Sequence, residues 1–223
     1  MISEAVVSLI RMLVALEILL LPIWVGTVGV RPPPSVGRRL ARAPAAVVPA
    51  AAVLLVLGAM AGGGGEWFGA VLKSQAVAIG FVILLAGLAT VLDRAAGPRA
   101  AQVLTIGLGA GLVGAILWAG PMAEILEGPV RAAVVRIVVH ANPLVVAEHE
   151  LGLEWMHQGL TYRLTPIGES YSYLLGDVAW WKTMLGYVFV GSGLAVFSIR
   201  RTGPCSPGQA KRASATSEGI ARR

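Results

Sequence analysis

Long apolar runs with few charges alternate along the chain with short clusters of arginine and acid. A bilayer core about 30 Å thick takes roughly 20 apolar residues as a helix. Residues 5–28, 69–92, 101–123 and 178–199 meet that length, and a shorter, wholly uncharged run at 44–61 counts as a fifth span. Residues 124–177 carry charges throughout and read as a segment outside the spans. The pattern predicts an all-α, polytopic membrane helical bundle of about five transmembrane helices over residues 1–199. Residues 200–223, rich in Ser, Ala, Gly and Arg, read as a disordered basic cytoplasmic tail.

The segment 124–177 has its own punctuation. Pro129 opens an apolar run to Ala141, interrupted by Arg131 and Arg136 and too short to span. Asn142 followed by Pro143 is a helix N-cap with proline in the first turn. The second helix is expected over 143–157, with Gly159 closing it. Together they predict an outer re-entrant or interfacial helical hairpin. Val134, Val138, Leu144, Val145 and Leu151 should rest on membrane or bundle, and Glu150, Glu154 and His157 should face water or a partner. The rival, one span over 128–148, would bury Arg131 and Arg136, and a central arginine costs roughly 2.5–3.5 kcal/mol.

Composition sharpens the class. Of 223 residues, 56% are hydrophobic and 13% charged, with mean hydropathy +0.75. A soluble domain carries about 25% charged residues, so a water-soluble globule and a disordered chain are both excluded. The net charge of +6 could suggest nucleic acid, but its distribution explains it otherwise. The loop with Arg31, Arg38, Arg39 and Arg42, the turn with Asp93, Arg94 and Arg99, and the tail carry twelve basic residues against two acidic. The opposite face carries nine acidic against three basic. Basic residues favour the cytoplasm, so the N-terminus is expected outside and the C-terminus inside, in a bacterial inner membrane. No nucleic-acid partner is expected. The first run is too long for a cleavable signal peptide, and the single Cys205 makes no intrachain disulfide. Trp24, Trp67, Trp118, Trp180, Trp181 and Tyr187 fall near span ends, where aromatic rings prefer the interface, and Lys73 and Lys182 read as snorkelling anchors.

Candidate chemistry is sparse. Glu17 lies about 12 residues into the first span, about 18 Å down, where a carboxylate needs a partner on another helix or a cavity. Arg11 is six positions away and on a different face. Glu150, Glu154 and His157 share one face of the second hairpin helix; they could ligate a divalent cation, although a solvated face is the plainer reading. Gly107 and Gly111 stand at GxxxG spacing, with Gly109 and Gly114 nearby, and Ala76, Gly80, Gly186, Gly191 and Gly193 offer further close-packing surfaces. No histidine lies in a span, which argues against a haem or chlorophyll carrier. No cofactor is expected, and no catalytic signature marks the chain as an enzyme.

From Ala101, through the break at His140-Ala141-Asn142-Pro143-Leu144, to Arg200-Arg201, the layout resembles export-type ATP-binding-cassette permeases. In these a final pair of spans flanks an outer re-entrant hairpin and ends in a basic cytoplasmic segment. The family carries six spans with a cytoplasmic N-terminus, so its first would be absent here. The resemblance implies the permease part of a multi-subunit exporter, pairing with itself or a sister permease. A separate cytoplasmic ATPase would contact Arg31, Arg38, Arg39 and Arg42, since no GxxxxGK[ST] occurs in the chain. The alternative is a non-catalytic structural or assembly subunit of a larger membrane complex, whose basic loops dock a partner or anionic lipid.

Overall fold

The computed structural model describes residues 4–28, 43–60, 65–152 and 179–200. Helix α1 runs Glu4–Val28, and a 3-10 turn at Ala43–Ala46 leads into α2, Val48–Met60. Then come α3, Glu66–Ala96; α4, Pro98–Val113; α5, Ala115–Ile125; α6, Gly128–Ala141; α7, Pro143–Glu150; and α8, Trp180–Arg200. Among the described residues there is no strand. Helices α1, α3 and α8 are each long and apolar enough to cross a membrane, and the count rises to five if the bent pairs α4–α5 and α6–α7 each make one span.

On α1 the buried residues Ile10, Val14, Ile18, Leu21 and Val25 recur at helical spacing, yet the opposite face is Met12, Leu16, Leu19, Leu20 and Ile23, all exposed. A helix apolar all round belongs in lipid rather than at a water interface. The same holds for Val53 and Val56 on α2 and Phe189, 82% exposed, on α8. These outward faces are what an integral membrane protein presents to acyl chains.

Contacts between the helices fix their directions. Arg11 stands over the Trp67 ring at 5.8 Å and Glu17 bonds to Gln75, so α1 and α3 run parallel. Gly109 lies against Pro22 and Leu85, and Gly26 against Ile106 and Gln102, which sets α4 antiparallel to α1. Gly97, at φ 84°, makes the one-residue turn from α3 to α4; its backbone N–H donates to Asp93 O, and Pro98 starts the next helix. Along the most extensive contact, Gly80 meets Met184, Gly87 meets Gly191 and Arg94 donates to the carbonyl of Ser198, so α8 runs parallel to α3.

Four expectations need correction. The run at 44–61 forms a helix of only 13 residues, about 20 Å long at 1.5 Å per residue. It is shorter than a bilayer core because Pro44 sits in the 3-10 turn and the helix begins only at Val48. The run at 101–123 is not one straight span: it breaks at Gly114 and turns by 62°. Four glycines between 107 and 114 weaken the helix there. Gly107 and Gly111 do not pack the bundle; nothing lies within 4 Å of where their Cβ atoms would be, and Gly109 makes the contact instead. Gly186 and Gly193 are likewise open, whereas Gly80, Gly87 and Gly191 carry the close approach.

The fourth correction concerns the hairpin. Its break falls at Asn142, with α6 and α7 bent by 71°. However, α7 is no interfacial helix with a wet face: Pro143 through Glu148 are all buried. It inserts among α1, α3 and α8. The described helix ends at Glu150, so the expected continuation to His157 lies outside the described residues.

Candidate functional site

A broken helix in an apolar bundle leaves backbone groups that no water can satisfy. At Asn142 the chain answers several of them. The Asn142 side-chain oxygen accepts from the N–H groups of Leu144 (3.0 Å) and Val145 (3.2 Å), capping α7. Its Nδ2 donates to the carbonyl of Val113 at 2.7 Å, the last residue of α4 before the Gly114 break. From α8, Thr183 Oγ1 donates to His140 O at 2.9 Å and Tyr187 Oη to Ala141 O at 2.5 Å. One asparagine therefore ties two helix interruptions together, and α8 supplies donors to the carbonyls that α6 leaves open.

The depth of this junction follows from its neighbours. The Tyr187 ring lies 5.7 Å from that of Phe81, the central residue of the 31-residue α3. At its far end, α7 reaches the level where α1 and α3 begin. Arg11 Nε and Nη2 donate to Leu151 O at 3.2 and 3.0 Å, and Nη2 also donates to Gly152 O at 3.0 Å. Lys73 Nζ lies 3.0 Å from Glu150 Oε2. A guanidinium on the last carbonyls of a helix complements its dipole. Thus α7 is a half-helix, starting midway along the bundle and ending at the face where α3 starts.

The second polar element is Glu17. Its Oε2 accepts from Gln75 Nε2 at 2.8 Å, while Glu17 Oε1 and Gln75 Oε1 are buried with no hydrogen-bond partner among the described residues. Glu17 lines a cavity of about 460 Å³ between α1 and α2, whose other walls include Leu13, Leu20, Trp24, Val53 and Leu54. Among the described residues, Glu17 is the one ionisable side chain that lines this cavity. A second cavity, about 490 Å³, flanks the Asn142 junction beside His140, Lys182 and Tyr187.

Several expected residues take other roles. Tyr187 is a core residue, 6% exposed, rather than an interface anchor. Lys73 is ion-paired rather than a lone snorkelling cation, and Lys182 lies 5.6 Å from the Trp181 ring. His140 is half-buried, and its backbone carbonyl accepts from Thr183 of α8. Glu148, one of the nine acids that the charge count places on the outer face, is 1% exposed. Glu150 faces Lys73, while Glu154 and His157 lie outside the described residues, as do Arg31, Arg38, Arg39, Arg42 and the tail beyond Arg200. Among the described residues no cluster of three or more His, Cys, Asp or Glu is placed to hold a metal.

Sequence reasoning missed the carbonyl clamp of Arg11 and the pairing of Gln75 with Glu17. Gln75 is the lone amide side chain in residues 69–92, which was the available signal. No known protein family, curated protein or solved structure matches the chain.

Proposed function

We propose that the chain is a transport-type integral membrane subunit, the permease part of a multi-subunit exporter. The carrying observation is the bond from Asn142 Nδ2 to Val113 O, which joins two helix breaks midway along the bundle. Irregular backbone at membrane depth is tolerated where it is buried in protein or lines a pathway, and transporters place their sites beside such discontinuous helices. Two bent elements that share one junction can shift together, as alternating access requires.

In this reading the N-terminus faces outward and the C-terminus the cytoplasm. The parallel courses of α1, α3 and α8 support opposite faces for the two termini, because an odd number of crossings must then separate α3 from α8; the basic residues decide which face is cytoplasmic. The basic loop with Arg31, Arg38, Arg39 and Arg42 meets a cytoplasmic ATPase carried on another chain. Native purification in mild detergent, with identification of accompanying chains, is the test. A nucleotide-binding chain at fixed ratio is expected; its consistent absence alongside other membrane subunits overturns the reading.

One observation favours a second reading, a non-catalytic structural or assembly subunit. Gly107 and Gly111 leave a smooth, open strip on α4, of the kind that receives a neighbouring helix. Gly107→Leu with Gly111→Leu is then expected to abolish assembly while leaving the isolated fold intact.

A further inference from the structure

The Glu17 cavity has a chemistry that lipid alone does not match. Its walls are apolar, and Leu16, Leu20 and Val53 at its mouth are 48%, 49% and 56% exposed. It therefore opens sideways onto the surface that acyl chains cover. Its volume of about 460 Å³ falls within the range of pockets that enclose drug-sized ligands, about 300–1,000 Å³. Across from α2, Glu17 stands on α1 one and two turns before Leu20, Leu21 and Trp24, so carboxyl and indole share one helix face.

The carboxyl is also half-satisfied. Gln75 Nε2 holds one oxygen at 2.8 Å, which orients the group, and leaves Oε1 without a donor among the described residues. A buried carboxylate in hydrocarbon needs a proton or a cation. Arg11 cannot serve, because its guanidinium is engaged with Leu151 and Gly152. An ammonium offers up to three donors and a charge, and an indole face attracts cations within about 6 Å. A lipid tail would fill the apolar volume yet leave Oε1 unanswered.

We propose that the cavity between α1 and α2 binds an amphipathic amine of drug size from the bilayer, its ammonium on Glu17 and its apolar body against Trp24 and Leu54. This deepens the transport reading by naming a class of molecule for the subunit to carry, and it rests on that reading for its purpose, though not for its geometry.

The test is equilibrium dialysis of radiolabelled propranolol against the full chain in lipid nanodiscs, with empty nanodiscs as the partition control. Saturable binding at one site per chain is expected. Glu17→Gln should weaken it at least tenfold, and Val53→Trp, which fills the cavity from α2 without touching the Glu17–Gln75 bond, should abolish it. Uncharged 1-naphthyl hexyl ether should bind the wild type and Glu17→Gln alike. Binding no greater than to empty nanodiscs overturns the proposal. So does propranolol binding that survives Glu17→Gln, since the occupant would then be any apolar chain, or that survives Val53→Trp, since the site would then lie elsewhere. Should Glu17→Gln fail to fold, Glu17→Met takes its place, with the same tenfold loss of propranolol and unchanged ether binding expected. Saturable amine binding by a chain that purifies without any ATPase would sink the exporter reading and leave this site standing.

Discussion

Gly87 on α3 and Gly191 on α8 pack backbone to backbone: a Cβ on Gly87 would overlap the carbonyl oxygen of Gly191, and one on Gly191 would meet the backbone of Ile83 and Leu84. Between helices in lipid no hydrophobic force operates, so this close approach is what binds the pair. Gly191→Ala is expected to lower stability by about 1–3 kcal/mol, the usual cost of overpacking. Gly193→Ala, pointing into open space, should change it by less than about 0.5 kcal/mol. Thermal unfolding of the two variants in one detergent checks the contrast.

Asn142 makes three hydrogen bonds while fully buried. Asn142→Ala removes the cap of α7 and strands Val113 O, at a combined cost of about 2–4 kcal/mol. Asn142→Ser keeps a capping oxygen but is too short to donate to Val113 O, so it should fall between Ala and wild type. Hydrogen exchange of the amides at Leu144 and Val145 distinguishes the two losses: they should exchange faster in the Ala variant than in the Ser variant.

Arg11 should be irreplaceable by lysine. Its fork delivers two nitrogens to the carbonyls of Leu151 and Gly152, a geometry that one ammonium does not reproduce. Arg11→Ala is expected to cost about 1.5–3 kcal/mol, as for hydrogen bonds to charged groups. Arg11→Lys should recover less than half of it. Protease accessibility just after Gly152 reports whether the end of α7 has come loose.

How far the sequence reached depends on which forces act locally. Apolar length and the Asn142-Pro143 signal are local, so the helical class, the long helices and the site of the break were all legible. The depth of α7 was not, because it rests on partners distant in sequence: Arg11, Lys73 and Tyr187 meet residues 141–152 only in the fold. Glu150 read as part of a wet face for that reason. The GxxxG pair misled because spacing identifies a smooth strip but not which strip a neighbour occupies; Gly109, one register over, meets Pro22. Glu17 stood out as an anomaly by charge alone, whereas its cavity required α2 to lie beside it.

The sidedness of three cysteines tests most directly whether α6 and α7 return to the face they entered. In a Cys205→Ser background, Glu66→Cys marks the start of α3, Ala95→Cys its end and Ala179→Cys the start of α8. With a membrane-impermeant maleimide on intact spheroplasts, positions 66 and 179 should label alike, and position 95 only after permeabilisation. Labelling at 66 with protection at 179 would make α3 and α8 antiparallel, turn the broken pair into a full crossing, and contradict the account.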